Sequence, residues 1–204
     1  MKRYITPDPW VIIEDGFHPE FQKVSESLFS IGNGQMGQRA NHEEGYLGET
    51  LSGSYLAGVY YPDKTRVGWW KNGYPEYFAK VLNSPNWIEL ALTINGQPFD
   101  LREWEIHSFR RELNMKEGVL SRNMKIQRDD LIIEISARRI CHYRQKDCGL
   151  VSYTIKVLEG DFDLQMASSV NADVRNSDAN YDEDFWTDRS TLELDRGPTV
   201  VCHT

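Results

Sequence analysis

The sequence predicts an all-β protein, an antiparallel sandwich or barrel with one or two short helices. Three observations predict it. From residue 87 onward, runs of alternating apolar and polar residues recur at intervals of about ten residues. Each run ends in a polar turn. The stretches between runs are too short for the crossover helices that a parallel sheet needs.

Ten of the fifteen glycines fall in residues 1–73, so the first third reads as loop-rich, with tight turns. Within it, Ser27 to Ile31 is a candidate strand. Pro75 to Leu82 reads as a helix, with Pro75 suiting a first helical turn and Asn83-Ser84-Pro85 ending it. Trp87 to Ile94 is the first clear strand. Asn95-Gly96 follows it and predicts a two-residue hairpin into Phe99-Asp100-Leu101, because a type I′ turn needs positive φ at both central residues.

Five further strands follow in the same manner. Ile106 to Leu113 turns at Lys116-Glu117-Gly118 into Val119 to Ile126. Arg128-Asp129-Asp130 leads to Leu131 to Ile140. Val151 to Leu158 turns at Glu159-Gly160-Asp161 into Phe162 to Val170. Residues 171–190 are acidic and read as a long surface loop. Residues 191–204 alternate once more, with Leu192, Leu194, Val200 and Val201.

With 204 residues, the chain can bury about 70% of its unfolded surface and needs no disulfide or metal to hold a core. Its 40% hydrophobic and 26% charged residues are ordinary for a globular domain. A net charge of −8 argues against nucleic-acid and anionic-membrane partners. Neither a secretory signal nor an 18-residue apolar run is visible, so a cytoplasmic protein is expected. Cys141, Cys148 and Cys202 are odd in number and form no CxxC pair, which speaks against a disulfide framework or a zinc site.

Several patterns touch on chemistry. Gly32-Asn33-Gly34-Gln35-Met36-Gly37 fits G-x-G-x-x-G, yet no amphipathic helix can be drawn after it. Glycines that kink a strand pair explain it better than a dinucleotide cradle. Carboxylates cluster at Glu43-Glu44, Asp129-Asp130 and Asp182-Glu183-Asp184. Glycosidase chemistry uses two carboxylates, but neighbours on one strand point to opposite faces. The histidines, His18, His42, His107, His142 and His203, show no zinc-ligand spacing, with His107 and His142 in candidate strands. Tyr55, Tyr60, Tyr61, Trp69, Trp70, Tyr74, Tyr77 and Phe78 crowd a short stretch. These rings either stack on sugars and partner surfaces or plug a core or inter-domain seam. Val67 to Tyr74 is a Gly-bounded loop in which Trp69, Trp70, Lys71 and Tyr74 are the candidate sugar or inter-domain contacts.

The block Glu26-Ser27-Leu28-Phe29-Ser30-Ile31-Gly32-Asn33-Gly34-Gln35-Met36-Gly37-Gln38-Arg39 resembles the start of glycoside hydrolase family 65, the maltose, trehalose and kojibiose phosphorylases. Glu43-Glu44, Gly53 to Tyr60, Tyr74 to Asn83, Asn95-Gly96 with Asp100-Leu101, and Arg111 to Gly118 agree in the same order. The Trp69-Trp70 loop and the Tyr74–Asn83 segment resemble the maltose phosphorylases in particular. Gln35 and Ala40 depart from the family pattern, where an aromatic and a glycine are common.

The resemblance implies that residues 1–204 are a large, galactose-mutarotase-like N-terminal super-sandwich, incomplete at its C-terminus. It implies an (α/α)6 catalytic barrel that this chain lacks. The implied reaction is inverting phosphorolysis, with inorganic phosphate as co-substrate, no cofactor, and a barrel Glu with no counterpart here. A disaccharide such as maltose, the barrel and a second copy of the chain are the implied partners. Trp69, Trp70, Tyr74 and Phe78 would form the seam. The rival expectation is a free-standing carbohydrate-binding or interaction module without activity.

Overall fold

The structure, a computed structural model, describes residues 4–65, 73, 75–176, 186, 188–194 and 197–203. In chain order the strands are β1 (Ile5–Pro7), β2 (Val11–Asp15), β3 (Ile31–Gly32), β4 (Met36–Gln38), β5 (Ser54–Leu56), β6 (Tyr60–Lys64), β7 (Tyr77–Val81) and β8 (Leu90–Ile94). They continue as β9 (Gln97–Pro98), β10 (Glu105–Asn114), β11 (Val119–Arg128), β12 (Leu131–Cys141), β13 (Gly149–Glu159), β14 (Leu164–Ser168), β15 (Asp188–Leu194) and β16 (Gly197–His203). One α-helix, α1 (Gln22–Leu28), is present among the described residues, beside 3-10 turns at Pro19–Phe21 and Leu101–Glu103. None of these helices is long and apolar enough to cross a membrane.

An antiparallel sheet in the order β1-β2-β10-β11-β12-β13 forms the large layer. β14-β8-β9 lies over part of its inner face, with β3-β4-β5 and the pair β6-β7 as smaller sheets. The hairpin turns behave as the local chemistry dictates. Asn95 and Gly96 both take positive φ, at 51° and 74°, and Asp129 at 53° turns β11 into β12. The return strand β9 is short, because Asp100 then accepts a hydrogen bond from the Arg102 amide and caps a 3-10 turn.

Alternation along β10, β11 and β12 sorts the inner face into three zones. Phe109, Met124, Ile126, Ile133 and Ile135 pack with Leu92 and Ile94 of β8 in one apolar core. Leu113, Leu120, Phe29, Ile31 and Ala40 form a second. Between them the inward positions are Arg111, Arg122 and Arg139, all buried.

Four sequence expectations need correction. Residues 75–82 are not a helix: Tyr77–Val81 is β7, paired with β6 from Tyr60↔Val81 to Lys64↔Tyr77. Aromatic and β-branched side chains gain more from cross-strand pairs than an isolated turn of helix gains from Pro75. Ser27 to Ile31 is not one strand, since α1 runs to Leu28 and β3 begins at Ile31. The first clear strand, β8, starts at Leu90 rather than Trp87. The 171–190 loop is interrupted: Asn171 bridges Asn86, Trp186 is buried against Leu82, and β15 begins at Asp188.

Candidate functional site

The loop with Trp69, Trp70, Lys71 and Tyr74 joins β6 to β7, and these four residues lie outside the described ones. What is described is the two-stranded arm that presents it. One face of the arm bears Tyr60, Pro62, Tyr77, Ala79 and Val81, all exposed, as is Phe78 on the other. Lys80 pairs with Asp63 at 3.2 Å on that other face. The arm is clamped at its base. Leu82 packs with Trp186, Val59, Tyr61 and Val174, and Trp186 Nε1 donates to the Asn83 carbonyl at 2.9 Å.

The densest cluster of titratable groups is the arginine belt inside the sandwich. One row of register partners crosses five strands: Glu14, Arg111, Arg122, Ala137 and Tyr153. Like charges directly opposite each other repel, so Arg111 and Arg122 need counter-charges. The turn at residues 42–45 supplies them. Arg122 donates to Glu44 Oε1 at 2.7 Å and to Glu43 Oε2 at 2.9 Å, while Arg139 donates to Glu43 Oε1 at 2.6 Å. Arg139 also donates to the carbonyls of Arg39 and Asn41. The adjacent carboxylates Glu43 and Glu44 therefore do converge on one guanidinium, because they sit on a turn and not on a strand.

His42 lies between the two arginines. Arg111 Nη2 is 3.2 Å from its Nε2, and Glu44 Oε1 is 3.7 Å from its Nδ1. Arg122 Nη1 also lies 3.4 Å from Nδ1, and a neutral imidazole has one acceptor nitrogen, so the ring accepts from only one of the two arginines that face it. Burial and then the charges of Arg122, Arg111 and Arg139 push His42 well below its ordinary range. Burial alone would raise Glu43, but Arg139 and Arg122 outweigh it and hold the carboxyl at about 2. Burial raises Glu14 against the opposing pull of Arg111, whose Nη1 is 3.5 Å away. Burial, with the Glu44 charge, also raises Tyr153.

Helix α1 closes the belt with its polar face. Gln22 Oε1 accepts from Arg111 at 2.9 Å, and its amide donates to Glu26 Oε1 at 3.0 Å. Glu26 also accepts from Thr50 Oγ1 and from the Leu51 amide. Sequence periodicity could not find this helix, since Gln22, Ser25 and Glu26 are buried while Val24 and Leu28 are 49% and 47% exposed.

This arrangement can hold loops to a sheet, but it offers no reaction space. The void among Glu43, Arg111, Arg122 and Arg139 measures about 10 Å³, room for one water at most. The other clusters behave locally. Asp129 and Asp130 make the β11–β12 turn, and Asp182-Glu183-Asp184 lies outside the described residues. Among the described residues, no three His, Cys, Asp or Glu side chains gather as metal ligands. His107 sits at a bulge in β10, and His142 lies just past β12 rather than in a strand. Gly32 to Gly37 turns β3 into β4, and a Cβ on Gly32 would meet the Met36 carbonyl at 3.0 Å. The motif is therefore a tight strand pair, not a phosphate cradle.

Residues 12–203 match the family model for the glycosyl hydrolase family 65 N-terminal domain. The chain belongs to that family. As a family 65 N-terminal domain it is 41% identical over 189 residues to maltose phosphorylase of Bacillus subtilis (strain 168), covering 93% of this chain and 25% of the relative. It is 32% identical over 123 residues to kojibiose phosphorylase of Thermoanaerobacter brockii, covering 60% of this chain and 14% of that one. Among solved structures, a protein titled "Putative kojibiose phosphorylase from human microbiome" superposes with a TM-score of 0.78 at 25% identity. That match covers 95% of this chain and 25% of the other. The match extends the antiparallel sheets seen here to the family sandwich. The chain spans about a quarter of the length of maltose phosphorylase.

Proposed function

We propose that this chain is the N-terminal sandwich of an inverting disaccharide phosphorylase acting on maltose. The supporting observation is the 41% identity to a maltose phosphorylase over 93% of the chain. In the proposed reaction, an acid on a further domain protonates the glycosidic oxygen as inorganic phosphate attacks the anomeric carbon from the opposite face. The C–O bond to the second glucose breaks, giving β-glucose 1-phosphate and glucose. Phosphate is already anionic and takes the place of the water that a base activates in inverting glycosidases. No cofactor, nucleic acid or membrane is required, and the cytoplasm is the proposed compartment.

In this reading the sandwich supports fold, assembly and active-site shape and holds no catalytic residue. The buried carboxylates Glu43 and Glu44 are engaged by arginines, which supports that division. The β6–β7 arm carries Trp69, Trp70, Lys71 and Tyr74 towards sugar, catalytic barrel or second subunit.

The test uses a phosphorylase bearing this chain as its N-terminal quarter. Trp70→Ala should raise KM for maltose or break the dimer while the sandwich stays folded. Unchanged kinetics and assembly with a lowered Tm would make the tryptophans core residues and refute the arm's role. Glucose 1-phosphate released by the 204-residue chain alone would refute the division of labour. A preference for kojibiose or trehalose would overturn maltose.

A further inference from the structure

At the end of the large sheet nearest the β10–β11 turn, a cavity of about 410 Å³ opens to solvent. Small-molecule sites run from about 300 Å³ upward, so one or two hexose rings fit. Leu113 and Ile140 supply its apolar wall. Met115 and Tyr143 stand at its mouth, 45% and 82% exposed. Glu117 and His142 add the hydrogen-bonding groups. His142 Nδ1 accepts the Gln145 amide at 2.9 Å, which leaves the ring proton on Nε2 as a donor.

We propose that this cavity is a binding site for a neutral sugar, a hexose or a glucose disaccharide. A pyranose ring has apolar C–H faces and a rim of hydroxyls that both donate and accept. The Tyr143 ring and the Met115 thioether match the faces. The Glu117 carboxylate accepts from a hydroxyl, and His142 Nε2–H donates to one. A phosphorylated ligand fits badly, because the cavity is lined by Glu117 and by no Lys or Arg among the described residues.

The wall is held in place before any ligand arrives. Asn33 Nδ2 donates to the carbonyls of His142 and Lys146, both at 2.9 Å, while its Oδ1 accepts the amides of Gln35 and Met36. The Gly32–Gly37 turn thereby pins the loop that carries His142 and Tyr143, and a site whose shell is fixed loses less on binding. The inference stands on this cavity alone and does not require phosphorylase activity, which glucose 1-phosphate release reads separately.

Saturation-transfer NMR on the 204-residue chain, with glucose and maltose at millimolar concentration, tests it. Transfer to at least one sugar is expected. Tyr143→Ala and Glu117→Gln, both surface changes, should each weaken binding about tenfold, the loss of roughly one good contact. Leu47→Ala, an exposed position away from the cavity, should leave it unchanged. Absence of transfer to either sugar would overturn the proposal. So would transfer that survives both cavity variants, or displacement of the sugar by inorganic phosphate.

Discussion

Arg111 and Arg122 are direct register partners across β10 and β11, and both side chains are buried on the inner face of the sheet. Such a pair is stable only because the 42–45 turn and α1 surround it with acceptors. Glu43 and Glu44 take Arg122, Gln22 takes Arg111, and His42 offers one lone pair between them. The belt ties two segments far apart in sequence to the centre of the sheet, and the domain's response to mutation and pH follows from it.

Removing one member should cost far more than its neighbours' burial suggests. Arg122→Met leaves two carboxylates in a dry interior and should lower stability by about 3–5 kcal/mol. The double variant Arg122→Met, Glu44→Gln should recover part of that loss, because the stranded Glu44 charge goes with the guanidinium while Glu43 keeps Arg139. Urea unfolding measures both. A single variant within about 1 kcal/mol of wild type would show the belt to be weakly coupled.

Stability should fall on mild acidification through His42. Its folded pKa is depressed below the ordinary 6.5 by burial and by three guanidiniums, so only the unfolded chain takes up the proton. The contribution is complete above the unfolded value and is lost as pH falls below it, by up to about 1.4 kcal/mol per unit. Glu43, held at about 2 against an ordinary 4.5, adds a second loss in the window between those values. Glu14 acts in the opposite sense. Its raised pKa favours the folded state at low pH, and that contribution fades as pH rises above 4.5. The stability difference between wild type and His42→Gln isolates the first effect. It should shrink between roughly pH 7.5 and 5.5, and a difference that stays constant would contradict the assignment.

Two glycines separate backbone conformation from steric contact. Gly118 has φ of +67° and open space around a would-be Cβ, so Gly118→Ala should cost about 1–2 kcal/mol for the left-handed backbone alone. Gly160 has φ of +83°, and its Cβ would lie 2.9 Å from the Asp130 carbonyl oxygen. Gly160→Ala should therefore cost distinctly more. Thermal denaturation of the two variants side by side gives the ranking, and equal costs would mean the β12–β13 end yields freely.

The arm depends on its base. Leu82→Ala opens a cavity against Trp186 and should destabilise that contact by about 2–5 kcal/mol. A two-stranded ribbon is marginal alone in water, so its amides should lose exchange protection before those of β11 and β12. Hydrogen exchange on this variant reads the difference. Uniform loss across the domain would mean that arm and sandwich unfold as one unit.

The β-rich class, strands β10 to β13 with their turns, and the family are all legible along the chain. Those features are local. Alternation, Asn95-Gly96, Asp129 and Gly118 act within a few residues of where they stand, and the family blocks are written in order along the chain. Tertiary structure alone decided the rest. The sequence makes Arg111, Arg122 and Arg139 look like surface positions in strands, and only acceptors far away along the chain make their burial tolerable: Gln22 for Arg111, Glu44 for Arg122, and Glu43, 96 residues from Arg139. Gln22, Ser25 and Glu26 hide the period of α1, because the helix packs its polar face onto charge and turns Val24 and Leu28 outward. Tyr77 to Val81 becomes a strand because Tyr60 to Lys64 lies beside it. In each case a partner distant in sequence supplies the free energy, and local pattern carries no record of that partner.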